Sequence, residues 1–403
     1  MIVIVVGGGA SGFFSAITCA STNKNAQVII LEKTDKLLSK VRVSGGGRCN
    51  VTNACETISE FAANYPRGKD VLEKAFSIFN NQSTIDWFKK RKVLLKTEHD
   101  GRIFPISDNS QTIVDCLIDE ALKHHVQIKK RSAVTSIKIQ DGKFYLQINN
   151  ASELVADRLI IASGGHSQLQ QYDWLHNLSL SIVKPVPSLF TFNTPSSPLK
   201  HLMGVAHNAK VSIKNSQYSY TGPLLITHWG ISGPAVLKLS AFAARALEEK
   251  KYTFEIEINW AEHLSQITEV DLKNIRSINS KKLVRNVVPF ELPKRLWEHF
   301  CNEAEVREFE NWAELGNKKL QLLFSFIKKY PLAAQGKTTF KEEFVTCGGI
   351  DLSNINADTF ESNIHKGLFF AGEALNIDGI TGGFNFQAAW TTGYIAGINC
   401  AKN

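Results

Sequence analysis

No Cys-x-x-Cys pair occurs in the 403 residues, and the seven cysteines are odd in number. Neither a disulfide framework nor a structural zinc site is therefore spelled out, and a reducing cytoplasm is the implied setting. Blocks of one charge are also missing. The 46 Lys and Arg exceed the 38 Asp and Glu by eight, but they are scattered as KK and KR pairs among acids, so a nucleic-acid partner is permitted and not demanded. No basic stretch precedes the apolar residues 2–20, and Gly7, Gly8, Gly9 and Gly12 interrupt them, which favours a buried strand, turn and helix over a signal peptide or membrane span. Internal repeats, low-complexity tracts, an amphipathic membrane anchor and metal-ligand spacing are likewise absent. What remains is ordinary globular composition, 43% apolar and 21% charged, long enough for two or three domains.

The first forty residues carry the strongest local signal. Ile2 to Val6 is a continuous β-branched run, the pattern of a central parallel strand buried on both faces. It feeds Gly7-Gly8-Gly9-Ala10-Ser11-Gly12, a G-x-G-x-x-G. Gly7 makes the tight turn, Gly9 lets the backbone approach a pyrophosphate, and Gly12 allows close helix packing. A helix opening near Ala10 and Ser11 aims free N–H groups at phosphate. Gln27 to Leu31 reads as a second strand, and Glu32 stands 20 residues beyond Gly12, where a carboxylate accepts hydrogen bonds from ribose hydroxyls. That carboxylate disfavours a 2′-phosphate, so FAD or NAD fits better than NADP.

Three further segments point to the flavin. In Lys40-Val41-Arg42-Val43-Ser44-Gly45-Gly46-Gly47-Arg48-Cys49-Asn50, consecutive glycines flanked by cations make an amide nest suited to phosphate or a flavin edge. Val126 to Ala162 reads as a β-meander, followed by a buried strand that ends in Ala162-Ser163-Gly164-Gly165. A third run, Gly367 to Glu373, is another buried strand, followed by Asp378 and by Gly382-Gly383-Phe384-Asn385 opening a final helix.

The small-residue strand end at 158–165 and the G-x-x-x-A-G-E at 367–373 resemble those of glutathione-reductase-like FAD proteins. Within them, S-G-G-G-R-C-N at 44–50, G-R-I-F-P at 101–105, T-H-W-G-I-S-G-P at 227–234 and A-G-E…D-G-I-T-G-G-F-N-F-Q at 371–387 resemble one bacterial flavoprotein family, which includes aminoacetone oxidases and BaiN-like proteins. The resemblance implies an α/β fold: a Rossmann-like FAD domain with a β-meander. It implies that Gly7, Gly9, Ala10, Ser11, Gly12, Glu32 and Lys33 hold the ADP half of FAD, with Val134 near adenine. Lys40, Ser44, Gly45, Gly46, Arg48, Cys49 and Asn50, with Ala162, Ser163 and Gly164, are assigned to the pyrophosphate, ribityl chain or ring system. Gly372, Glu373 and Asp378 match the ribityl and pyrophosphate element. Gly382, Gly383 and Asn385 place a helix N-terminus at the flavin pyrimidine edge, where a positive helix end stabilises reduced flavin. Two departures stand out: Phe384 replaces a common tyrosine, and Cys347 stands where a small residue is expected, read as a buried inert thiol.

Since both ends of the chain belong to the FAD domain, 1–187 and 345–403, the residues between form an insertion, 188–344. Its parts read as β-rich (188–260), helical (261–330, broken at Pro289 and Pro293) and a return (331–344). A small-molecule substrate is expected where the flavin face meets the insert. Thr227 to Pro234 is the candidate lining, a rigid loop presenting His228 and Ser232. His228 is the one histidine nominated as acid/base, because its ordinary pKa suits proton exchange near neutrality; a structural histidine bonded to backbone is the alternative. Arg102 has the chemistry to bind a substrate carboxylate, or else ties a turn to the FAD domain. Cys49 beside Arg48 raises the prospect of a lowered thiol pKa, but Cys55 is only loosely placed as a resolving partner, so no thiol–disulfide role is expected.

The leading expectation is an FAD-dependent oxidoreductase moving hydride between a small organic substrate and flavin N5. One fingerprint only is present, which argues against a two-dinucleotide disulfide-reductase architecture; a transient NAD(P)H, oxygen or another acceptor stays open as the partner. Similarity to aminoacetone oxidases implies amine oxidation, and similarity to BaiN implies carbon–carbon double-bond reduction. Two alternatives stay open: an RNA-associated flavoprotein, motivated by Lys281-Lys282, Lys294-Arg295, Lys318-Lys319 and Lys328-Lys329, and a flavin-binding protein without turnover. Solvated helix faces explain those basic pairs more simply.

Overall fold

The structure is a computed structural model, and it describes residues 1–262, 264, 267–338 and 345–402. The chain divides into two compact units, Met1–Ser188 with Phe340–Asn403, and Leu189–Thr339.

The first unit is built on a five-stranded parallel sheet. Its order is Leu368–Phe370, Arg158–Ile161, Ile2–Val6, Gln27–Leu31 and Gln127–Lys129. Ile2–Val6 is central, and Val3, Ile4 and Val5 have no exposed surface, as a strand covered on both faces requires. Helices Ala10–Thr22 and Phe384–Ala401 pack against each other. Gly393 and Gly397 permit this approach, since a Cβ at either would stand under 3.0 Å from the backbone oxygen of Ser11 or Ser15. The meander is a separate antiparallel sheet of Val134–Gln140, Lys143–Ile148 and Ser152–Ala156. Small sheets of Thr52–Asn53, Arg102–Pro105 and Leu95–Thr97, and of Ile182–Ser188 with Val345–Ile350, complete the unit. Cys347 lies in the last of these strands and is fully buried.

The second unit carries a seven-stranded antiparallel sheet. It runs Tyr330–Gln335, Thr253–Asn259, Ala206–Ile213, Ser219–Ile226, Gly230–Ser232, Thr191–Asn193 and Lys337–Thr338. Two features differ from the sequence expectation. The stretch 188–260 also contains helices Pro234–Phe242 and Ala244–Glu249, the first opened by a proline whose fixed φ suits that position. Ser232, expected on a rigid loop, lies in a strand, paired with Leu225. Glu269–Ile278, Lys294–Glu303 and Asn317–Lys329 form the helical part, and fully buried Trp260, Trp297 and Trp312 sit in its core. Part of the expected return, residues 339–344, lies outside the described residues.

Candidate functional site

The turn after the central strand brings the first fingerprint into one geometry. Gly7 has φ +115°, and a Cβ at Gly12 would stand 1.9 Å from the Gly7 carbonyl oxygen, so the helix can start against the turn only with glycine at both positions. Gly9 is the N-cap of Ala10–Thr22; no side chain caps it and no acid lies in the first turn. The orphan amides and the positive helix end thus face an open position. Glu32 Oε2 accepts the Gly8 N–H at 2.9 Å, while Oε1 accepts the Thr34 amide and hydroxyl at 2.8 and 2.9 Å. The carboxylate is thereby held beside the glycine turn.

A cavity of about 250 Å³ opens here. Of the expected cofactor residues, Gly7, Glu32, Lys33, Val134 and Ser163 line it; His166, Gln171 and Trp174, which sequence reasoning missed, line it too. Lys40 reaches Glu373 at 2.5 Å, and Glu373 accepts the Thr346 amide at 2.8 Å. These contacts join the glycine-rich segment to the late A-G-E motif. Gly372 packs on Ser11, where a Cβ would come within 2.4 Å of the hydroxyl oxygen. Its amide is already donated to Thr392 Oγ1 at 2.8 Å.

Residues 39–47 form a kinked helix that Ser44 breaks with extended backbone, and Gly45, Gly46 and Gly47 follow with positive φ. The Ser44 hydroxyl donates to the Val41 carbonyl at 3.0 Å. Arg48 pairs with Glu98 at 2.6 Å and lies over the Phe104 ring at 4.0 Å. The Asn50 Oδ1 accepts the Ile103 amide at 3.3 Å. At the final helix, Gly383 is the N-cap at φ +95°, again with no side-chain cap and no acid in the first turn. Gly382 gives its carbonyl to Asn53 Nδ2 at 3.0 Å, which fixes the entry to that helix.

Several expectations are corrected. Cys49, expected among the cofactor contacts, has no exposed surface, and burial pushes its thiol up to about 12, in keeping with the expectation of no thiol–disulfide role. Asp378 is also fully buried; its carboxylate takes Arg67 and, at 2.7 Å, the Ser188 hydroxyl, so both leave the set of surfaces open to a ligand. The Asn385 amide brackets Gly379, accepting its N–H and donating to its carbonyl at 2.8 Å each. It shapes the loop before the helix instead of offering a free amide. Phe384 is buried, packing on Phe61 with centroids 5.0 Å apart, while Tyr65 donates its hydroxyl to the Phe384 carbonyl at 2.6 Å. Arg102 is engaged by Asp100 at 2.7 Å and Glu98 at 3.2 Å, which matches the turn-tying alternative. In the second unit, His228 is exposed, with its ring edge-on to Trp229 at 4.3 Å.

The residues fit a dinucleotide. A Cβ built at Gly9, Gly46, Gly47 or Gly164 would meet nothing within 4 Å; two helix N-termini are uncapped by side chains; and a buried imidazole nitrogen, His166 Nε2, has no partner beside the cavity. Among the described residues no cluster of three or more His, Cys, Asp or Glu is placed to hold a metal, and no helix is long and apolar enough to cross a membrane.

This fold and site define a protein with a Rossmann-like dinucleotide-binding unit. The chain belongs to the family described as HI0933-like protein Rossmann domain, whose model matches residues 1–399. It is 28% identical over 415 residues to the 3-dehydro-bile acid delta(4,6)-reductase of Clostridium scindens, covering 99% of this chain and 98% of that one. It is equally 28% identical over 411 residues to the ribosomal RNA dihydrouridine synthase of Haemophilus influenzae, covering 99% and 98%. Among solved structures, the 3-ketosteroid-delta4-(5alpha)-dehydrogenase of Rhodococcus jostii shares the fold with a TM-score of 0.53 at 11% identity, over 100% of this chain and 96% of that one.

Proposed function

We propose that this chain is an FAD-dependent reductase of a carbon–carbon double bond conjugated to a carbonyl. The observation that carries the reading is chemical: a delta(4,6)-reductase of a 3-dehydro bile acid and a dihydrouridine synthase both saturate a C=C bond in conjugation with a carbonyl. When bound and reduced by an external two-electron donor, FAD would supply the hydride for the β-carbon and return to its oxidised form. The amides at the start of Ala10–Thr22 would hold its pyrophosphate, Glu32 would hold its ribose, and the uncapped start of Phe384–Ala401 would stabilise the negative charge that reduction places on the flavin. His228, exposed to solvent, is proposed as the donor of the proton that completes the addition at the α-carbon. The amine-oxidation expectation draws no support from the relatives named above.

A second reading concerns the substrate. Residues 189–339 hold 20 Lys and Arg against 14 Asp and Glu, whereas the rest of the chain holds 26 against 24. Most of the excess positive charge therefore belongs to the inserted unit. A substrate uracil within RNA would make use of that charge.

The test is anaerobic. Holoprotein reduced with dithionite is mixed with a steroidal 4-en-3-one, and separately with a uridine-rich RNA, and flavin reoxidation is followed by absorbance. Reoxidation by the enone supports a small-molecule reductase, and reoxidation by RNA with product dihydrouridine supports the second reading. Failure of both, alongside reduction of the flavin by an amine, would sink the proposal.

A further inference from the structure

Beside the cavity at the first glycine turn, His166 carries a buried polar atom that the protein leaves unanswered, as does Tyr172 packed against it. His166 is only 8% exposed, its Nε2 has no hydrogen-bond partner, and the residue lines the cavity with Gly7, Glu32 and Val134. Leaving a buried ring nitrogen unpaired costs stability that a partner would recover. The surroundings hold the imidazole where it is. Tyr172 packs edge-on against it with centroids 4.7 Å apart, and the His166 carbonyl accepts the Thr346 hydroxyl at 3.4 Å. Just beyond, Gln171 Oε1 accepts the amides of Ser167 at 3.0 Å and Gln168 at 3.1 Å, which fixes the chain leaving His166. Gln171 and Trp174, from the 3-10 segment Leu169–Leu178, wall the same cavity.

We propose that His166 Nε2 is a direct hydrogen-bond ligand of the adenosine-phosphate half of bound FAD, so that retention of that half depends on residues 166–174. The cavity is the one bounded by Glu32 and Val134, the positions expected to meet ribose and adenine. Burial, helped by Lys33 and Lys40 and opposed by Glu373, brings the imidazole down to about 4. It is therefore neutral at physiological pH, with one ring nitrogen a donor and the other an acceptor. That suits a ribose hydroxyl or a purine nitrogen. The inference rests on the cofactor assignment and not on the proposed substrate.

ADP separates this role from a structural one, because it carries the adenosine-phosphate half without the flavin. Apoprotein is titrated with FAD and with ADP by calorimetry, using wild type, His166→Phe and His166→Gln. The phenylalanine variant is expected to lose about tenfold in affinity for both ligands, the worth of one buried hydrogen bond. Its apo form should melt no lower than wild type, since an orphan polar group has been removed. Glutamine, which keeps a donor and an acceptor, should remain within about threefold of wild type. Unchanged ADP affinity in His166→Phe overturns the inference while leaving FAD binding intact; wild-type apoprotein that binds neither ligand overturns the cofactor assignment as well. Should His166→Phe not fold, the His166 ring signals of wild type, assigned by their absence in His166→Gln, give the decision: they shift on adding ADP if the inference holds, and stay fixed if it does not.

Discussion

Arg67 donates from Nε and Nη2 to the two carboxylate oxygens of Asp378, a side chain with no exposed surface. Ser188 adds a third bond to the same carboxylate, so residues 67, 188 and 378, distant in sequence, meet at one buried charge. Removing one partner of such a pair leaves the other uncompensated. Asp378→Ala is accordingly expected to destabilise the protein by about 3–5 kcal/mol, read as a lower urea midpoint, with Asp378→Asn costing less because it keeps an acceptor for Arg67. A loss under about 1 kcal/mol in the alanine variant would show the pair to be dispensable.

Gly9→Val addresses the pyrophosphate site. A Cβ at Gly9 meets no protein atom within 4 Å, so the variant should fold, while its side chain occupies the space that the phosphates need. The expected product is a soluble apoprotein with circular dichroism like wild type and no bound flavin. Full flavin content in that folded variant would contradict the placement.

The strand, glycine turn, helix and second strand leading to Glu32 were legible because they follow one another within a few dozen residues, and short-range geometry brings the acid back beside the turn. The meander and final helix were readable for the same reason. His166, Gln171 and Trp174 were not: they share a cavity only through tertiary packing, and no spacing marks them. Cys49 and Asp378 show the converse. Their types suited a cofactor site, but sequence carries no signal that both would be sealed from solvent. The strand at Ser232 was read as a loop because it is defined by pairing with Leu225, a partner across a turn, and not by the short Gly-Ile-Ser run itself.

Acid sensitivity should arise in part from His299. It is buried, its Nε2 lies 3.0 Å from the Tyr330 hydroxyl, and burial, with His201 adding to it, lowers the imidazole to about 4. Glu303 also stands 3.5 Å from it. An unfolded histidine takes up its proton near pH 6.5 and the folded one does not until about 4, so the unfolded state binds more protons across that window. The stability contribution is therefore complete above that ordinary value and is lost as pH falls through the window, by at most about 3 kcal/mol. In a urea series over this range, His299→Gln should flatten the slope; an unchanged slope would assign the acid sensitivity elsewhere.

For the proposed proton donor, His228→Ala should leave flavin binding untouched and slow reoxidation of reduced flavin by a conjugated enone by about a hundredfold, the usual scale of a general acid. Reoxidation at the wild-type rate would remove His228 from the chemistry.

The most direct measurement is an absorption spectrum of freshly purified protein, with chromatographic identification of whatever it releases on denaturation. The account predicts a flavin spectrum and FAD in near-equal molar ratio to the chain. Protein that shows no flavin, and takes none up when incubated with FAD, would contradict it.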